Sequence, residues 1–122
     1  MILADTSVWV SHLRQGDSTL QEHLLNGQIL IHPFVVGEIA CGNLRSRSNI
    51  LSDLGKLPLA IHADDIEVLR LVEEQLLYGK RIGWIDAHLL ASARLSACRL
   101  WTLDLRLSQI ADRLGVGYQK VM

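Results

Sequence analysis

Short, strongly apolar runs alternate with stretches of helical periodicity along this chain, and no other feature constrains its fold as much. The runs at Ile2–Ala4 and 28–32 ("QILIH") are too short for buried helices, so we expect strands there. Further strands are predicted at 58–62, 98–104 and 117–122. Strands that alternate with helices are typical of an α/β sandwich with a mostly parallel central sheet. Because the 122 residues contain no repeat or linker, we expect a single domain over 1–122.

Helices are predicted between these strands, at 6–14, 17–27, 34–44, 47–57, 64–79, 83–97 and 105–115. The clearest is 64–79, where Asp64 and Glu67 are spaced as a capping box and Gly79 follows as a stop signal. Its predicted apolar stripe consists of Ile66, Leu69, Val72 and Leu76.

Composition excludes several classes of protein. Hydrophobic residues make up 49% of the chain, which argues against disorder, yet no apolar run approaches the ~18 residues of a membrane span. No signal peptide is recognisable, so we expect a cytoplasmic protein without a membrane partner. Cys41 and Cys98 lack the spacing of a zinc or redox motif and are predicted to be small core residues. A net charge of −1 means that nucleic-acid binding would need a local basic patch.

Four acidic residues with apolar neighbours fall at one predicted edge of the sheet. Asp5 follows the first strand and Asp104 follows the strand at 98–104, while Glu38 and Asp86 lie near the starts of two helices. In parallel α/β sheets, ligands bind outside the carboxyl ends of the strands. These residues are therefore the candidate site.

Each of these acids also has a purely structural explanation. Asp5 and Asp104 can cap the helices that follow them, and Asp86 can face a helix dipole in the first turn. Glu38 can pair with an arginine at 45 or 47. It is the coincidence of all four at one edge that favours a functional site.

The expected convergence has an electrostatic consequence. Two like charges ~4 Å apart repel by about 4 kcal/mol at an effective dielectric of ~20, so the group needs protons or a counterion. Oxygen ligands suit a hard divalent cation, and we therefore expect Mg²⁺ or Mn²⁺.

Four motifs together resemble the PIN domain, and within it the toxins of VapBC-type toxin–antitoxin pairs. They are "ADTSVWV", "VVGEIA", "GWIDAHLLASA" and "LWTLDLRL", and they span the chain. The resemblance implies a Rossmann-like three-layer sandwich and a metal-dependent endoribonuclease. Its catalytic and metal-binding quartet maps onto Asp5, Glu38, Asp86 and Asp104. Thr6 and Thr102 match polar positions beside the acids and are expected to hydrogen-bond the carboxylates.

The resemblance also implies partners, namely an RNA substrate, a VapB-like antitoxin and a second copy of the chain in a homodimer or heteromeric complex. Candidate contacts to RNA phosphates are Lys80, Arg81, Arg106, Arg45 and Arg47, with ordinary solvated side chains as the alternative. A candidate docking surface for the antitoxin consists of Val8, Leu13, Leu20 and Leu24, with a role in the core as the alternative.

Two other functions remain open. A receiver-like signalling domain is also α/β, but it would show paired acids after the first strand and a lysine after a late strand, and neither is present. A non-catalytic binding module on a PIN fold differs from a nuclease only in activity.

Overall fold

Three parallel strands form the central sheet of the computed structural model, which describes residues 1–119. The strands are β1 (Ile2–Ala4), β2 (Ile29–Leu30) and β3 (Arg99–Trp101). β1 lies in the middle, with Ile2 opposite Ile29 on one side and Arg99 on the other. Because all three strands run in the same direction, their carboxyl ends share one edge of the sheet.

Two predicted strands are reduced to single bridges at the margins of the sheet. In the segment predicted as a strand at 58–62, only Leu59 makes a parallel bridge, to Ile31. The Ile61 N–H instead donates to the Ser96 hydroxyl at 2.8 Å, so pairing stops there. The final predicted strand makes one bridge, at Gly117, and its residues 120–122 lie outside the described part of the chain.

Seven helices surround the sheet within residues 1–119. They are α1 (Thr6–Gln15), α2 (Ser18–Leu25), α3 (Pro33–Ala40), α4 (Arg47–Leu54), α5 (Asp65–Glu74), α6 (Trp84–Leu95) and α7 (Leu105–Arg113). α1 packs against α3 and α5 against α6, which gives the predicted α/β sandwich. Among the described residues, no helix is both long and apolar enough to cross a membrane.

The helix predicted at 64–79 is shorter than expected. Its capping box is confirmed, since the Glu67 N–H donates to Asp64 at 2.8 Å and the Asp64 N–H donates back to Glu67 at 3.2 Å. α5 nevertheless ends at Glu74, because Leu76 adopts a left-handed conformation with φ of 55°. A leucine there cannot continue a right-handed helix.

The predicted apolar stripe of this helix is also wrong for three of its four residues, since only Val72 packs against the core. Ile66 and Leu69 are 68% and 56% exposed, whereas Val68 and Leu71 are the residues that α5 buries. The apolar residues of this segment fit two helical faces, and contact with α6 selects the face that contains Val68 and Leu71.

The core includes two residues of the candidate docking surface, for which a role in the core was the alternative. Val8 and Leu20, two of the four residues in that surface, are completely buried. The predicted docking surface is therefore wrong for these two residues. Their helices need those side chains to cover the sheet. Cys98 is buried as predicted, whereas the prediction is wrong for Cys41, which is exposed at the C-cap position just after α3 ends at Ala40.

Candidate active site

Asp5 is a buried carboxylate at the end of β1, only 6% exposed. One oxygen, Oδ1, accepts the Ser7 hydroxyl at 2.5 Å and the Val8 N–H at 3.3 Å. The other, Oδ2, accepts the Thr102 hydroxyl at 2.5 Å. Asp5 therefore caps α1, as the structural alternative predicted, and is also fixed by two hydroxyl groups at the shared edge of the sheet.

The hydroxyls of Ser7 and Thr102 join the ends of β1 and β3. Thr102 donates to Asp5 and accepts the Asp104 N–H at 3.0 Å. The Ser7 hydroxyl in turn accepts the Leu103 N–H at 2.9 Å. The contact expected between Thr102 and an acid is present. The contact of Ser7 with Asp5 was not predicted. Its sequence signal is a hydroxyl side chain two residues after an Asp that can cap a helix.

Asp104 and Asp86 each accept a hydrogen bond from a backbone N–H at the N-terminus of a helix. Asp104 Oδ1 accepts the Leu107 N–H at 3.1 Å and caps α7. Asp86 Oδ2 accepts the Gly83 N–H at 3.0 Å in the first turn of α6. These bonds leave the second carboxylate oxygen of each residue without a hydrogen bond from the described residues.

Glu38 projects from α3 and is exposed. Its Oε1 accepts the Thr6 hydroxyl at 2.7 Å, which is the contact expected for Thr6. Within residues 1–119 it forms no ion pair with an arginine, and Arg47 instead donates to the Ala40 and Gly42 carbonyls at the end of α3. The structural alternative for Glu38 is therefore wrong, because Arg47 caps a helix end.

The negative charges of the four acids interact with one another. We call the edge that holds Asp5, Glu38, Asp86 and Asp104 the acidic edge. Burial raises the pKa of Asp86, the Gly83 N–H lowers it, and the negative charges of the other three acids raise it further. Burial likewise raises the pKa of Asp5, against the hydrogen bonds from Ser7 and Thr102 that lower it. Ionising the whole set is therefore unfavourable without a counterion.

A hard cation fits the chemistry of this donor set, although the site is not preassembled. Among the described residues, no three His, Cys, Asp or Glu side chains are arranged to hold a metal ion as they stand. Glu38, Asp86 and Asp104 each retain one free carboxylate oxygen, and Glu38 and Asp104 are exposed side chains that can rotate. Mg²⁺ usually keeps several waters, so one or two direct carboxylates suffice.

Three histidines form a separate cluster beside α3. His32 and His88 are completely buried, and their rings lie 5.1 Å and 5.6 Å from that of His62. The His32 Nδ1 accepts the Phe34 N–H at 3.0 Å and caps α3, the helix that presents Glu38. Burial, with the charges of the other two histidines, lowers the pKa of His32 to about 4. His32 is therefore neutral at pH 7, as its capping role requires.

The candidate phosphate contacts fall into separate places. Lys80 and Arg106 line one cleft, and Arg45 lines another together with Glu38. Arg81 is exposed in a left-handed conformation with φ of 63°. Arg47 is occupied by the carbonyls of α3, so it is the least available of the five.

Comparison with known proteins identifies the class first. A family model described as PIN domain matches residues 2–113, so the chain belongs to the PIN-domain family. The chain is also 42% identical over 121 residues to Ribonuclease VapC32 of Mycobacterium tuberculosis, in strains CDC 1551 / Oshkosh and ATCC 25618 / H37Rv. That match covers 96% of this chain and 95% of the relative, which places the chain among the VapC members of the family and confirms the resemblance.

A solved structure supports the fold independently. The crystal structure of PAE2754 from Pyrobaculum aerophilum superimposes with a TM-score of 0.60, covering 89% of this chain and 78% of that one. The two sequences are 17% identical, so this likeness concerns the fold alone. It agrees with the α/β sandwich and parallel sheet predicted from the sequence.

Proposed function

We propose that this protein is a metal-dependent endoribonuclease and the toxin of a type II toxin–antitoxin pair. The observation that supports the proposal most strongly is the electrostatic coupling of Asp86 to Asp5, Glu38 and Asp104 at the acidic edge. The similarity to a ribonuclease over nearly the whole chain supports the choice of RNA as substrate.

Different residues are proposed to bind the cation, to orient a water and to position a ligand. Asp5, Glu38 and Asp86 are the proposed ligands of Mg²⁺ or Mn²⁺, directly or through water, and Asp104 completes a second cation position or orients a water. A bound cation would lower the pKa of a water and polarise a phosphoryl oxygen. Hydrogen bonds from Ser7 and Thr102 hold Asp5 rigid, so it can serve as a fixed ligand while the exposed acids adjust.

The raised pKa of Asp86 suits the same chemistry. A carboxylate surrounded by three others gains more from a nearby cation than an isolated one does. The Gly83 N–H fixes Asp86 Oδ2, so its Oδ1 is the atom available to a cation or to a bound water.

Cleavage assays test this proposal. The purified chain, freed of any partner, should cut single-stranded or structured RNA in Mg²⁺ or Mn²⁺, and EDTA should stop the reaction until metal is restored. Cleavage that continues unchanged in EDTA would refute metal dependence. No cleavage with either metal would favour a binding module on a PIN fold, while the family match already argues against a receiver domain.

The proposed partners are a VapB-like antitoxin and a second copy of the chain, and the proposed location is the cytoplasm. Co-expression with the neighbouring reading frame, followed by pull-down and light scattering, tests both partners. A stable monomer that never co-purifies with that gene product would count against this part of the proposal.

A further inference from the structure

A cleft of about 260 Å³ separates α7 from the segment that joins α5 to α6. Within residues 1–119 it is lined by Lys80, Arg106, Gln109, Ile110 and Arg113. We call it the basic cleft, since three of these five residues are cationic and none is acidic. Arg106, Gln109 and Arg113 lie three and four residues apart, so they share one face of α7 over two turns.

The charge of the basic cleft is not balanced by the described part of the protein. None of its three cations lies within salt-bridge distance of a carboxylate among residues 1–119. A second cleft, between α5 and α6, differs in its lining: its arginines, Arg70 and Arg94, also form no salt bridge among residues 1–119, but Glu67 and Glu74 line the cleft with them. Unpaired cations around a concave surface repel one another, so the basic cleft is suited to an anionic ligand.

One of these cations is already positioned. Arg113 donates from Nη2 to the Gln75 carbonyl at 2.8 Å, which restrains its guanidinium. The guanidinium has five donors, so others remain for a ligand. An arginine held in this way loses less conformational freedom on binding, which favours recognition of a phosphate.

Two residues of the basic cleft are close in sequence to residues of the acidic edge. Arg106 lies two residues after Asp104, in the first turn of α7, and Lys80 lies three residues before Gly83, whose N–H binds Asp86. From there the cationic face continues along α7 to Arg113, away from the acids. An RNA strand with a phosphodiester at the acidic edge would therefore place neighbouring phosphates along this face.

We infer that the basic cleft binds the backbone phosphates of single-stranded RNA on one side of the scissile bond, with Lys80, Arg106 and Arg113 as the contacts and Gln109 as a neutral donor. The inference rests on the proposed function for the choice of RNA. It adds to that function a substrate-positioning site on α7 and a length requirement, because a strand too short to reach Arg113 loses a contact.

Salt-dependent binding measures these contacts directly. For single strands, each phosphate contact contributes about 0.7 to the slope of log affinity against log salt. Each therefore accounts for about a 2.6-fold loss of affinity between ~50 and ~200 mM salt, since 4 raised to 0.7 is about 2.6. The probe is a fluorescein-labelled oligouridylate of about 16 nucleotides, and binding is followed by anisotropy in EDTA.

The variants are Lys80→Gln, Arg106→Gln and their combination, with Arg70→Gln and Arg94→Gln as controls in the charge-balanced cleft. Each single variant in the basic cleft should flatten the slope by about 0.7 and the double variant by about 1.4, whereas the controls should keep the wild-type slope. Arg113→Gln should flatten the slope by the same amount on this probe. Thermal melts check that each variant is folded, because Arg113 also holds the chain at Gln75.

The outcomes separate this inference from the proposed function. Flattened slopes without RNA cleavage in Mg²⁺ would support the basic cleft and count against the nuclease. Slopes for Lys80→Gln and Arg106→Gln that match the controls would overturn the basic cleft even if RNA is cut. Competition by inorganic phosphate as effective as that by the oligonucleotide, at equal phosphate concentration, would also overturn it, since the site would then bind a single phosphate and not a strand.

Discussion

Replacing Asp86 by Asn removes one negative charge from the acidic edge and keeps the shape of the side chain. The Asn amide oxygen can still accept the Gly83 N–H, so the hydrogen bond in the first turn of α6 is retained. What changes is the charge, which interacts favourably with the helix dipole and unfavourably with Asp5, Glu38 and Asp104. The sign of the stability change shows which interaction is larger.

The magnitudes favour a gain in stability without metal. A carboxylate near a helix N-terminus contributes typically 0.3–1 kcal/mol, about the amount that the substitution would lose. One like charge as far as ~10 Å away costs about 1.7 kcal/mol at a dielectric of ~20 before salt screening, and here there are three. After screening and the lost dipole interaction, we expect a net gain of about 1 kcal/mol in the free energy of unfolding. For a chain of this size, that raises Tm by about 4 °C.

The gain should depend on pH. The pKa of Asp86 in the folded protein is raised, so its ionisation destabilises the fold as the pH rises through that value. Below the pKa of about 3.9 expected in the unfolded chain, the carboxyl is neutral in both states and contributes no such penalty. The advantage of Asp86→Asn should therefore be larger at pH 7 than near pH 3.5.

Thermal melts of wild type and Asp86→Asn at both pH values, with EDTA and with Mg²⁺, provide the measurement. Mg²⁺ at 100 times its Kd should stabilise the wild type by about 2.7 kcal/mol, and the variant should gain less while losing orders of magnitude in RNA cleavage. Asp17→Asn is the matched control, because Asp17 caps α2 outside the acidic edge and Asn caps equally well. If Asp86→Asn lowers the metal-free Tm and leaves the Mg²⁺ shift intact, Asp86 is a structural residue of α6 and the site is wrong.

Two further changes test the supports of the site. Thr102→Val removes a hydrogen bond to the buried Asp5 and the acceptor of the Asp104 N–H. Thermal melts should therefore show that the free energy of unfolding falls by about 1–3 kcal/mol, and RNA cleavage should be slower. An unchanged Tm would contradict this role. Since the pKa of His32 is lowered to about 4, the stability that its neutral form contributes should be complete above pH 6.5 and lost as the pH falls towards 4. Denaturant titrations should show this fall in wild type and a smaller one in His32→Asn, and equal falls would exclude His32 as the cause.

Local chemistry explains what could be predicted from the sequence. The capping box at Asp64 and Glu67 depends on residues three apart, and it forms as expected. The placement of Asp5 and Asp104 at one edge required only that two strands run parallel, which the alternation of strands and helices already predicted. The caps of Asp5 and Asp104 are confirmed, and a capping role does not exclude the proposed metal-binding role, because each residue caps a helix at the acidic edge.

Tertiary structure alone decided which surfaces are buried and which polar groups meet. Val8 and Leu20 became core, and α5 buried Val68 instead of Leu69, because an apolar helical pattern often fits more than one face and a neighbouring element selects one.

In the candidate site, too, the residue types were evident from the sequence, whereas the contacts between residues distant in sequence were not. The four acids were identifiable in the sequence, whereas the hydroxyl of Thr102 reaches Asp5 across 97 residues of chain. Lys80 and Arg113 likewise meet at one cleft only through the packing of α7. Residue types and short spacings determine what a segment can form, but hydrogen bonds and charges act over a few ångströms in space, and only the fold determines which distant residues come that close.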